Sequence, residues 1–290
     1  MSVTKSDFES VLRTAIDEAA DHRCPPKLAA ALRHSVFPGG ARVRPKLCLA
    51  VALANGGDAP QLTAVAAAAV ELLHCASLVH DELPCFDNAA ERRGRPSVHA
   101  AYGEPLAVLA GDALIVSAFS LLADPTLPAR ERIPQVLGTI ARGVGAPTGI
   151  AAGQAWESEP VVDVSLYHQS KTGALFIAAT AAGAATAGVD IGPWVALGHK
   201  IGEAYQVADD IQDATASASE LGKPCGVDAE LARPSIVREQ GLKAAIRRLR
   251  ELVEEGVDAV PACPGRDELR EVVRAQSQRF LPSACEPVAA

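Results

Sequence analysis

From Gln61 to Asp81 the chain runs without Gly or Pro, and from Ala64 to Val70 every residue is apolar. Ala and Leu, the strongest helix formers, dominate this stretch. It reads as the longest clean helix of the first half. Its apolar residues are not confined to one stripe, so other helices must enclose it, and small side chains let them approach closely. Other segments repeat the pattern. Val3 to Ala20 places Phe8, Val11, Leu12 and Ala15 on one face. Further helices are expected over Lys27–Val36, from about Pro45 to Asn55, Pro105–Ala123, Ala129–Val144, Asp163–Ala187 and Pro193–Ser217. Two or three more follow, up to about Arg279. Breakers separate them: Pro25–Pro26, Phe37 to Gly40, Gly56–Gly57, a loop holding Pro84, Gly94 and Pro96, and Gly145 to Gly153. No segment alternates as a strand does, and no repeat or linker is found. The expected class is all-α, with residues 1–290 as a single domain of about 10–13 helices.

The net charge is −8, from 35 acidic and 27 basic residues, which argues against nucleic acid as the main partner. An acidic protein that binds anions must gather its Arg and Lys at one place, or set metal ions between carboxylate and phosphate. The seven cysteines are scattered and form no Cys-x-x-Cys pair, so free thiols in a reducing, cytoplasmic compartment are expected. Met1 to Ala20 has no apolar core of a secretory signal. No run of about 18 apolar residues occurs, so no transmembrane segment is expected.

The sharpest local signal is Asp209-Asp210-Ile211-Gln212-Asp213. Asp209 and Asp213 lie four apart and point from one helix face, with Gln206 one turn earlier. Like charges at this spacing oppose a helix unless a cation neutralises them. Magnesium suits such a site, since it takes one or two carboxylates plus water and phosphate oxygens. By itself the motif reads first as a solvated acidic face. The apolar flanks Ala204, Val207, Ala208 and Ile211 favour carboxylates facing a cavity.

A second acidic cluster, Asp81, Glu82 and Asp87, ends the Gln61 helix and is followed by Arg92, Arg93 and Arg95. This is either a surface salt-bridge run or two halves of a diphosphate site, with carboxylates for metal and guanidiniums for phosphate oxygens. Gly39-Gly40-Ala41-Arg42-Val43-Arg44-Pro45 reads as an anion site or as a Gly-rich turn with exposed arginines. His74 shares a helix face with Asp81. Lys171-Thr172 lies within an apolar helix, where a Lys needs a partner. The nucleotide-binding glycine loops and the Gly-x-Ser-x-Gly elbow are absent.

Taken in order, these residues resemble the trans-isoprenyl diphosphate synthases. The match runs through Gly39–Pro45, His74–Pro96, Gly111–Asp112, Gln154, Lys171–Thr172, Tyr205–Asp213 and Gly222-Lys223-Pro224. It is most similar to bacterial geranylgeranyl diphosphate synthases of carotenoid pathways. The resemblance implies the class I isoprenoid synthase fold, a helical bundle around a central cavity. It implies condensation of an allylic diphosphate (dimethylallyl, geranyl or farnesyl) with isopentenyl diphosphate, and a homodimer. Asp81 and Asp87 would bind two magnesium ions and Asp209 a third, supported by Asp213. Arg92, Lys171 and Lys223 would contact the allylic diphosphate. Arg44, His74 and Arg93 would hold isopentenyl diphosphate. Thr172 and Gln206 would face the reacting carbons. The small Ala76 and Ser77 would set chain length at C20. Geranyl or farnesyl diphosphate synthesis is the alternative product. A non-catalytic subunit would be expected to lose metal carboxylates, and a terpene cyclase needs no isopentenyl site.

Three departures stand out: Glu82 in place of a second Asp, Ala41 where many members have Lys, and Ala89–Ala90 in place of a more acidic stretch. The second removes a cation, for which Arg42 is the expected substitute.

Overall fold

The computed structural model describes residues 5–37, 40–215 and 235–278. The helices are α1 (Lys5–Ala19), α2 (Pro26–Val36), α3 (Val43–Ala54), α4 (Pro60–Asp81), α5 (Val98–Tyr102), α6 (Glu104–Leu122), α7 (Ile133–Val144) and α8 (Ile150–Ala155). There follow α9 (Val164–His168), α10 (Ala174–Thr186), α11 (Gly192–Thr215), α12 (Ile236–Gln240), α13 (Leu242–Asp258) and α14 (Arg266–Gln278). A π-helical turn, Gln169–Gly173, joins α9 to α10, so the two run on without a break. The start signals lie where the sequence puts them. Pro occupies the first turn of α2, α4, α6 and α7. The Asp163 carboxylate accepts the Leu166 amide at 3.0 Å to cap α9.

Helix α4 is the central post, packed by α1, α3, α6 and α10. Leu62, Leu72 and Leu73 are fully buried on it, each stabilising the fold by about 1.5–3 kcal/mol. One apolar core gathers α1, α2, α4, α6 and α7, and a second gathers α11, α13 and α14. Helices α3 and α10 join them. Cys48 and Ala178 face the first core, Leu47 and Phe176 the second. The α3–α10 contact depends on Gly183, where a Cβ would stand 2.4 Å from the Cys48 carbonyl oxygen.

One expectation needs correction. The loop after α4 contains a short antiparallel hairpin, β1 (Glu91–Arg92) and β2 (Arg95–Pro96). Two-residue strands are too short to show alternation. Arg93 and Gly94 take φ of 55° and 70°, the positive values that two-residue I′ turns require. Helices α4 and α6 are each long and apolar enough to cross a membrane by length and composition, although polar residues interrupt both. Helix α4 is enclosed by the bundle. Helix α6 is less covered and exposes Val108, Leu109 and Val116.

Candidate active site

The end of α4 and the loop after it fold back on themselves. The Asp87 amide donates to the Asp81 carbonyl at 2.9 Å, which brings the two carboxylates together. A third carboxylate, Glu157, arrives on the 3-10 turn Trp156–Ser158 after α8. Asp81, Asp87 and Glu157 each offer an oxygen within 4.8 Å of the others. Lys171, carried on the π turn, places Nζ 3.3 Å from Asp81 Oδ1 and 2.5 Å from Glu157 Oε1. The Tyr167 hydroxyl donates to Glu157 Oε1 at 2.7 Å, and Gln154 Nε2 donates to Asp81 Oδ1 at 3.3 Å. Burial pushes the Asp81 carboxyl above the usual range. Lys171 opposes that shift, while Asp87 and Glu157 add to it. Three crowded oxygen donors, one of them buried, have the donor chemistry of a magnesium site.

Helix α11 supplies the facing wall. Asp209 and Asp213 line the same cleft as Asp81 and Asp87, which encloses about 1100 Å³ including its open mouth. Asp210 does not: it is buried, accepts from Gln206 Nε2 at 2.9 Å and accepts the Ile236 amide at 2.9 Å. Its carboxylate therefore fixes the start of α12. The Thr172 hydroxyl donates to Gln206 Oε1 at 2.6 Å, tying the π turn to α11 and setting both side chains against the cleft.

A second cleft adjoins the first and shares Arg44, His74, Tyr205 and Asp209 with it. Arg44 is buried at the start of α3. Its guanidinium carbon lies 4.3 Å from the Phe176 ring centre and 5.3 Å from that of Tyr205. Its Nη1 is 3.4 Å from His74 Nε2, and its Nε has no hydrogen-bond partner among the described residues. Burial pulls the Arg44 guanidinium below its ordinary pKa, and the Tyr205 hydroxyl and the Glu71 carboxylate counteract this. Burial, with Arg44 and Arg93 nearby, holds His74 well below the usual histidine range, so the ring is neutral. Arg93 rests on Gly40, where a Cβ would stand 2.4 Å from the guanidinium. A cation buried without a carboxylate partner, beside a second and a neutral imidazole, suits a bound anion.

Arg42 borders the second cleft beside Ala41 but is committed to Glu71. It is buried, with Nη1 2.5 Å from Glu71 Oε1 and Nη2 donating to the Val36 carbonyl at 3.0 Å. A lone Glu inside the apolar run of α4 needs a cation, and Arg42 is that cation. Arg92 lines the carboxylate cleft while its Nε pairs with Glu82. Ser77 also lines that cleft, whereas Ala76 is 1% exposed and belongs to the core around α4. Lys223 and Gly39 lie outside the described residues.

Residues 25–265 match the model of the polyprenyl synthetase family. The geranylgeranyl diphosphate synthase of Cereibacter sphaeroides is 50% identical over 276 residues, covering 95% of this chain and 96% of that protein. That of Rhodobacter capsulatus is 49% identical over 281 residues, covering 97% of each. Among solved structures, a Helicobacter pylori geranyltransferase complexed with magnesium and isoprenyl diphosphate superposes with a TM-score of 0.78 at 31% identity. It covers 97% of this chain and 99% of that one.

Proposed function

The chain belongs to the polyprenyl synthetase family, and from that premise we propose that its two adjoining clefts hold an allylic diphosphate and isopentenyl diphosphate for head-to-tail condensation. It is a trans-prenyltransferase of the geranylgeranyl diphosphate synthase type. The observation that carries the site reading is the pairing of a carboxylate cleft with a cleft built around the buried Arg44, which makes no salt bridge among the described residues.

Asp81 and Asp87 on one wall and Asp209, backed by Asp213, on the other are the residues that would hold magnesium, three ions in all. Bound there, magnesium supplies Lewis-acid charge neutralisation for the departing diphosphate. Lys171 and Arg92 add fixed positive charge on the same group, and Lys223 is assigned there by family resemblance. Breaking the allylic C–O bond leaves an allylic cation and inorganic diphosphate. Thr172 and Gln206, fixed against each other, border the reacting carbons. Arg44, Arg93 and the neutral His74 hold isopentenyl diphosphate so that its alkene carbon faces the cation. The new C–C bond forms, and a proton passes to the released diphosphate. Apolar helix walls keep out water, which would quench the cation. Ser77 and the helix above it direct the growing chain, and C20 is the proposed product.

The chain is proposed to act as one cytoplasmic domain and as a homodimer, with the exposed Val108, Leu109 and Val116 of α6 covered by a second copy. A non-catalytic role is disfavoured by retention of Asp81, Asp87, Asp209 and Asp213. Asp81→Ala and Asp209→Ala test the reading, assayed as diphosphate release with circular dichroism as a fold control. Each is expected to lower turnover by orders of magnitude with the fold intact. Near-normal turnover in either would remove that residue from the site.

A further inference from the structure

Glu82 follows Asp81 directly, yet the two carboxylates serve different spaces. Asp81 and Asp87 line the metal-type cleft. Glu82 does not, and instead lines a cavity between α4 and the hairpin. Its side chain is 6% exposed and paired with the Nε edge of Arg92, whose side chain is 25% exposed. Arg92 borders both spaces. Among the described residues its side-chain hydrogen bond uses Nε, and neither terminal nitrogen is engaged in one.

The hairpin that carries Arg92 is held from behind as well. Arg92 faces Arg95 in register. Arg95 donates from Nη1 to the Phe37 carbonyl at 2.8 Å, and its Nη2 is 3.1 Å from His34 Nδ1. The Ser97 amide donates to the Ala90 carbonyl at 2.9 Å. With the hairpin anchored, one freedom remains, the rotation of the Arg92 side chain about its own stem. A carboxylate on the Nε edge fixes the guanidinium plane and leaves the Nη pair as a fork for two phosphate oxygens. Glu reaches one methylene further than Asp from the end of α4, and here it meets Arg92 on the hairpin.

We propose that Glu82 is a positioning residue for Arg92, acting on the allylic diphosphate through that guanidinium and not as a metal ligand. The inference rests on the assignment of Arg92 to the allylic diphosphate made above.

A double-mutant cycle in the full-length enzyme tests it, using Glu82→Gln, Arg92→Ala and the double variant. The readouts are KM for farnesyl diphosphate, KM for isopentenyl diphosphate and half-saturation by magnesium, with thermal melts as a fold control. Gln is isosteric, so the fold is kept. Loss of the charge-assisted character of the contact should raise KM for farnesyl diphosphate roughly fivefold. The other two constants should not move. In the Arg92→Ala background the same substitution should change KM by less than about twofold, because the group it acts through is gone. A raised magnesium half-saturation in Glu82→Gln, or an effect undiminished by Arg92→Ala, would overturn the proposal while leaving the site reading in place. An unchanged KM for farnesyl diphosphate in Arg92→Ala alone would instead overturn the assignment of Arg92, and this inference with it.

Discussion

Replacing Arg44 by Met separates a binding cation from a structural one. The substitution keeps the long apolar stem and removes the charge. In the free protein Arg44 is buried, makes no ion pair to a carboxylate among the described residues, and leaves Nε without a partner. Its compensation is stacking on Phe176 and Tyr205, worth about 0.5–2 kcal/mol, together with attraction to the Tyr205 hydroxyl and the Glu71 carboxylate. Against that stands the desolvation of an unpaired buried ion, an effective penalty of several kcal/mol. Desolvation is the larger effect, so Arg44→Met should leave the melting temperature unchanged or raise it. Binding changes the other way. One lost charge-assisted contact to a phosphate oxygen removes about 1.5–3 kcal/mol. At tenfold per 1.4 kcal/mol, KM for isopentenyl diphosphate should rise roughly 10- to 150-fold. KM for the allylic substrate should hardly change, since carboxylate-bound metal and Lys171 serve that group. The assay is steady-state turnover at saturating allylic diphosphate and magnesium, paired with melting of the substrate-free protein. A melting temperature lowered by several degrees with unchanged KM would refute the reasoning and make Arg44 a packing residue.

Four further outcomes follow from particular contacts. Ser77→Phe should shift product from C20 towards C15, because Ser77 lines the cleft about one helical turn, roughly 5.4 Å, before Asp81. Ala76→Phe should instead overpack the core at about 1–3 kcal/mol, and a changed product with an unchanged melting temperature would reverse these roles. Ala41→Lys should lower KM for isopentenyl diphosphate, since Arg42 is committed to Glu71; an unchanged or raised KM would show that another cation already serves there. Gly183→Ala forces α10 from α3 and should lose about 1–3 kcal/mol, read as a lower melting temperature, and no loss would mean the helices part freely.

The helices were legible because their signals are local: Ala- and Leu-rich runs, Pro in first turns, and Asp163 where a cap is needed. The acidic motifs were legible for the same reason, since helical spacing alone puts Asp209 and Asp213 on one face. What joins distant segments was not. Glu157 reaches Asp81 and Asp87 through the packing of α8 on the π turn, and its neighbours Trp156 and Ser158 give no hint of this. The only available signal was Gln154, one turn earlier, which contacts Asp81 directly. Arg42 was read as a spare cation because its partner Glu71 lies on another helix. Asp210 sits between the two predicted ligands in sequence, and only the fold shows it occupied by Gln206 and the start of α12. The hairpin escaped because its strands are shorter than one alternation. Its consequence is the largest of these, since it delivers Arg92 and Arg93 to separate clefts.

The most direct test is product analysis with labelled isopentenyl diphosphate, run with dimethylallyl, geranyl and farnesyl diphosphate in turn, with magnesium and after exhaustive chelation. The account predicts a C20 diphosphate with magnesium and no condensation without it. A product ending at C15 would overturn the length assignment alone. Turnover that persists after chelation, or no C–C bond formation with any primer in the presence of magnesium, would contradict the central claim.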